Sequence, residues 1–169
     1  MYTSEITRLL RNFQQFEGAF PRNRVPVNLQ HFQFVIANHN DDTDTSNGHW
    51  VAFGRNSYQE STLSQEVYTE HGNRPIVEYF DPLGSKTKDI LNFSYALPKN
   101  AYVLYNESPV QSDDMISCGE FVVTFVIERL ENPDLSYYDL LNSIFSQDKK
   151  QNEQICLATV KNLENDFQS

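Results

Sequence analysis

An α+β fold is predicted for this chain, and three observations carry the prediction. Short apolar runs of strand length recur between residues 32 and 106, helical patterns occupy both ends, and one apolar run too long for an isolated strand begins at Cys118. No internal repeat and no Pro/Gly/Ser-rich linker interrupts the sequence, so residues 1–169 read as one domain. A chain of this length buries enough surface to fold without metals or disulfides.

In residues 3–16, Ile6, Leu9, Leu10, Phe13 and Phe16 recur at helical spacing and Gly18 is a stop signal, which predicts an amphipathic first helix. Residues 32–37 and 50–53 are short apolar runs bounded by polar residues, and both read as strands. Between them, residues 38–48 are rich in Asp, Thr, Ser and Asn and form a surface loop by composition. A second polar stretch, residues 55–74, reads as a long hairpin connection to a strand over 76–80. The tetrapeptide Asp81-Pro82-Leu83-Gly84 predicts a tight turn, because Asp caps it, Pro presets φ and Gly relaxes the exit. A helix is expected over 87–97 and a strand over 102–106, which leads into the polar loop 107–117.

Residues 118–130 are apolar nearly all round, with Phe121, Val122, Val123, Phe125, Val126, Ile127 and Leu130. The β-branched residues favour a strand locally. The length of the run, ended by Asn132-Pro133, favours a buried central helix instead. Ser136 with Asp139 makes a capping-box-like start for a helix carrying Leu140, Leu141, Ile144 and Phe145, and a last helix is expected over 153–165.

The formal net charge is −10 and the isoelectric point about 4.7. This balance removes the broad positive field of a phosphate-backbone binder, so nucleic acid is not an expected partner. Only residues 1–30 lean basic, where Arg8, Arg11, Arg22 and Arg24 face Glu5 and Glu17. No run approaches the ~18 apolar residues of a membrane span, and no signal-peptide core follows Met1, so a protein neither secreted nor membrane-embedded is expected. Two cysteines, Cys118 and Cys156, cannot build a disulfide framework and fit a reducing compartment.

Four residues invite an acyl-transfer reading. A thiol attacks a carbonyl as its thiolate, and Cys118 stands between a polar loop and the predicted buried helix, where open N–H groups and the helix dipole favour an anion. His49 opens a strand that would hold its ring rigidly as a general base, while His31, His39 and His71 have no comparable context. Asp81 ends the next strand, where a carboxylate can orient an imidazole. Glu78 competes for that role, but strand alternation puts it on the opposite face. Gln111, in the loop before Cys118, can donate its amide to an oxyanion.

Each residue also has a plainer reading. A Cys beside Val and Phe packs in a core, a loop-end His bonds to backbone, Asp before Pro caps its own turn, and a lone Trp is a core or rim residue. There is no CxxC, HxxxH or HExxH spacing and no phosphate-cradling glycine loop, so neither metal nor nucleotide cofactor is expected.

Taken in order, Gly48-His49-Trp50, Phe80-Asp81-Pro82-Leu83-Gly84, Val110-Gln111 and Cys118-Gly119 resemble the adenovirus maturation protease family, adenain, and the related proteases of polinton-type elements and virophages. The resemblance includes Gly18-Ala19-Phe20-Pro21, Pro26 and Asn38 and covers most of residues 16–130. Residues 131–169 match only as generic helices. It implies an adenain-like fold with a central mixed sheet and a buried helix starting at the catalytic cysteine. It further implies a papain-like site with His49 as base, Asp81 as acid, Gln111 with the Cys118 N–H as oxyanion hole, Cys118 as nucleophile and Trp50 at the substrate-binding wall. The adenovirus enzymes place Glu where this chain has Asp81, so the ring must approach the shorter carboxylate more closely.

The function so implied is a viral cysteine endopeptidase that cleaves capsid or core precursor polypeptides at glycine-containing sites during virion maturation. It would act as a monomer without a cofactor, inside the host cell and packaged in the virion. A ubiquitin-like-modifier (SUMO-type) isopeptidase of the same clan is an alternative. There the Gln usually lies one residue nearer the Cys and an Asp commonly precedes it, where this chain has Ser117. A catalytically silent interaction domain on the same fold is a third reading, against which the complete set of four residues counts. Adenoviral relatives bind an activator peptide through a cysteine on the strand ahead of the catalytic loop. Residues 100–102 offer no thiol here, so that covalent route is expected to be closed, with Cys156 an inward-facing structural thiol.

Overall fold

Alternation along the strands decides the architecture. The computed structural model describes residues 1–27, 29–30, 33–44, 48–56, 74–114 and 116–167. Strands β1 (Phe16–Phe20), β2 (Phe34–Asn38), β3 (Trp50–Gly54), β4 (Ile76–Phe80) and β5 (Tyr102–Tyr105) lie side by side in chain order. The outer pairs, β1 with β2 and β4 with β5, are parallel and the inner pairs antiparallel, so the sheet is mixed. One face presents Phe34, Ile36, Trp50, Ala52, Ile76, Phe80 and Leu104, and the other Val35, Ala37, Val51, Phe53, Val77 and Tyr79. Both faces are covered, which is why β2 and β3 read as nearly continuous apolar runs and β4 as one interrupted only by Glu78.

Among the described residues there are five α-helices: α1 (Thr3–Leu10), α2 (Thr87–Leu91), α3 (Cys118–Glu131), α4 (Tyr137–Ile144) and α5 (Lys149–Asp166). The first face packs on α1, α3, α4 and α5, and the second on Val25, Leu29, Ile90, Phe93 and Ala96. Helix α3 is buried nearly all round because it lies between the sheet and the other helices, so tertiary burial overrides its β-branched propensity. None of these helices is long and apolar enough to cross a membrane.

Several boundaries differ from the sequence expectation. The first helix stops at Leu10 rather than Phe16, because Phe16 begins β1, an unforeseen strand. Its disguise is Gly18, which adopts φ 136° where the β1–β2 register shifts, so what reads as a stop signal is a bulge inside a strand. The helix expected over 87–97 ends at Leu91, and the chain continues to Ala96 in turns bonded three residues back. Pro98 disfavours helical backbone at Leu97. Helix α5 starts four residues earlier than expected, at Lys149, because the Asp148 carboxylate accepts the Lys150 and Gln151 N–H groups. Ser136 caps α4 through the Asp139 N–H, as expected. The proposed start of β2 at Phe32 and residues 57–73 of the polar stretch lie outside the described residues.

Candidate active site

The tight turn at Asp81 forms as expected, with the Gly84 N–H bonded to the Asp81 carbonyl at 3.0 Å. Asp81 makes the contacts of both readings, since Oδ1 accepts the Leu83 N–H at 2.8 Å and also meets His49 Nε2 at 2.6 Å. Its side chain is 3% exposed and that of His49 19%, so the contact is shielded on the carboxylate side and open on the ring side. Nε2 is thereby committed to Asp81, and the ring also meets the Cys118 thiol. Burial opposes charge on the ring, but hydrogen bonds with Asp81 and Cys118, reinforced by their charges, outweigh it and raise His49 to about 9.

Cys118 is the first residue of α3 and is partly exposed. The Ser117 hydroxyl does not cap this helix; it donates to Glu153 Oε1 at 2.6 Å. The first N–H groups of α3 therefore have no side-chain cap and lie next to the sulfur, a setting that favours a developing anion. Gly119 is required here by a close approach, because a Cβ on it would lie 2.7 Å from Met1 Cβ.

Gln111 is buried and reaches the same cleft as His49, Trp50 and Cys118, a cavity of about 570 Å³. Its backbone is tied to the Asp81 turn, since the Val110 and Gln111 N–H groups both donate to the Pro82 carbonyl, at 2.9 and 3.0 Å. Trp50 lines the cleft but is only 5% exposed, and its indole N–H donates to the Met1 carbonyl at 3.1 Å. It is thus part of the wall and also the anchor of the N-terminal segment. All the residues assigned from sequence converge: four line the cleft, and Asp81 stands behind the His49 ring.

Sequence reasoning missed three supports. Asn106 clamps the Asp81 backbone, accepting its N–H at 3.0 Å and donating to its carbonyl at 2.7 Å. Asn152 on α5 is fully buried and donates to the Val110 carbonyl at 3.0 Å, which holds the loop carrying Gln111. His39 lies directly across from His49 in the β2–β3 pairing, with its N–H on the His49 carbonyl at 2.9 Å and the ring centroids 4.9 Å apart, edge to face. The signal for His39 was the two-residue alternation continued past Asn38, readable only with the register in hand.

By donor type, His39, His49 and Asp81 form a possible metal trio, their ligand atoms within 4.8 Å of one another. An ion there must open the 2.6 Å contact and displace a proton that His49 holds up to about pH 9. The trio fits an orienting chain better than a metal centre.

The four arginines of the basic N-terminal part are engaged. Arg22 pairs with Asp41 at 2.9 Å, Arg24 with Asp42 at 2.7 Å and Arg8 with Glu164 at 3.7 Å, and Arg11 lies over the Phe167 ring.

No protein-family model matches the chain, and no curated protein matches it.

Proposed function

We propose that the chain is a cysteine endopeptidase. The observation that supports this most is the 2.6 Å contact of His49 with Asp81 on the far side of a ring that meets Cys118 at the start of α3. In the reaction, the Cys118 sulfur attacks the scissile carbonyl carbon and the carbonyl π electrons move to oxygen. The Cys118 N–H and the Gln111 side-chain amide stabilise that oxyanion. Its collapse expels the amine, which takes the proton carried by His49, and leaves a thioester on Cys118. His49, now neutral, accepts a proton from water as the hydroxyl adds to the thioester. Cys118 departs as thiolate, and the carboxylic acid is released.

The ordered motif set favours an adenain-like enzyme that cleaves capsid or core precursors at glycine-containing sites during virion maturation. Incubation with such precursors, read by mass spectrometry, tests this. Wild type is expected to cut them and Cys118→Ala to leave them intact while keeping its fold. An active Ala variant, or cleavage confined to a SUMO-type conjugate, refutes the respective part of the proposal.

A further inference from the structure

His39 has features that packing does not explain. Its ring lies between His49, 4.9 Å away at an interplanar angle of 83°, and Phe93, 6.1 Å away. Its Nε2 is shielded from solvent and has no hydrogen-bond partner among the described residues. A polar nitrogen buried unmet carries a desolvation cost that a phenyl ring in the same place would not.

We propose that His39 is a positioning residue that holds the His49 ring between Asp81 and Cys118, and that it does so only as a neutral imidazole. The inference rests on the endopeptidase reading of the site. His49 precedes β3, and rotation about its terminal side-chain torsion is soft, so the 2.6 Å contact alone leaves the ring plane weakly defined. The edge-to-face neighbour supplied by the β2–β3 register restricts that rotation.

The charges facing His39 support the neutral form. Burial lowers its pKa below the usual 6.5, and the His49 charge and, more weakly, Arg22 act the same way against Asp81 and Asp89. Near neutral pH it is therefore uncharged beside a protonated His49. As the pH falls through its pKa, a second positive charge appears at ring-contact distance, and repulsion drives the His49 ring from its place. Protonation of His39 would then set the acid limit of activity.

Two variants separate the wall from the proton. His39→Ala removes both; His39→Phe keeps a ring and removes the titration. Two readouts are taken from about pH 5 to about pH 9: turnover of a precursor peptide, and the iodoacetamide labelling rate of Cys118 resolved by peptide mapping. The expected results are a fall in kcat of about 10- to 100-fold for His39→Ala with KM little changed, and a His39→Phe enzyme near wild type above pH 7 that stays active to lower pH. Wild-type kcat in His39→Ala, an equal loss in both variants, or an unchanged acid limit in His39→Phe overturns the inference. If His39→Ala does not fold, the acid limit of His39→Phe decides. If wild type cuts no precursor, the endopeptidase reading fails by itself, and the labelling profiles still decide whether His39 governs the site.

Discussion

Glu78 and Asp81 leave β4 and the turn that follows it on opposite faces, and each meets a basic partner. Glu78 is fully buried and receives Arg129 in two hydrogen bonds, at 2.7 and 3.2 Å. The rest of that guanidinium donates to the carbonyls of Asn132 and Leu135, at 2.8 and 2.9 Å, which fastens the end of α3 to the sheet. Burial pushes the Glu78 carboxyl up to about 7 while Arg129 draws it down. Asp81 instead holds a ring that opens on the cleft and can exchange its proton. Two carboxylates on one segment thus differ in what their partners have left to give. The guanidinium is used up by structure, whereas the imidazole keeps one nitrogen for chemistry.

The sharpest way to break that comparison is Asp81→Asn. An amide oxygen still accepts the Leu83 N–H, so the turn should survive with a loss of about 1 kcal/mol. Turnover is expected to fall by about 10²- to 10⁴-fold, the upper figure being that of a serine enzyme with the same change. Without the carboxylate, the His49 pKa should drop from about 9 toward its usual 6.5. The imidazolium is held fully below 6.5 and lost through about 9 in the wild type, so the alkaline limb of the rate profile should move to lower pH. Full activity with an unmoved limb would show that Asp81 only caps its turn.

Glu78→Gln is expected to do the reverse. It leaves Arg129 buried without its counter-charge, which costs about 3–5 kcal/mol of stability, readable by denaturant unfolding. Turnover per folded molecule should be unchanged. A folded but inactive Glu78→Gln beside an active Asp81→Asn would exchange the two roles.

The same contrast explains what was legible in the sequence. His49, Asp81 and Cys118 stand at ends of elements, marked locally by Pro82 with Gly84 and by the polar loop before α3, and Gln111 stands within that loop. Strands β2, β3 and β4 were visible because burial on both faces makes them largely apolar, with Glu78 the one charge in β4. His39, Asn106, Asn152 and the Glu78–Arg129 pair were not, because their contacts depend on strand register and helix docking and no local turn or run marks them. β1 was hidden by a bulge that resembles a stop. The residues marked by local turns could be read singly, and their contacts, His49 with Asp81 across 32 positions included, form only where the fold brings them together.

Trp50 lies between the two cases, and Trp50→Phe gives the smallest expected effect. The residue opens β3, lines the cleft and packs in the core with the helices, yet its one polar atom serves the Met1 carbonyl rather than the cavity. Phe retains most of the apolar contact and removes that hydrogen bond, whose net worth is about 0.5–1.5 kcal/mol. Including the small loss of packing, stability should fall by about 1–2 kcal/mol. The N-terminal segment, whose Met1 lies against Gly119, should exchange its amide hydrogens faster than the strands do. If the indole is mainly an anchor, KM for a precursor peptide should rise less than about threefold, well under the tenfold that 1.4 kcal/mol of lost substrate binding gives. A tenfold rise in KM without a change in stability would place Trp50 with Asp81 among the residues that serve the cleft, and would make the contact with Met1 incidental to its role.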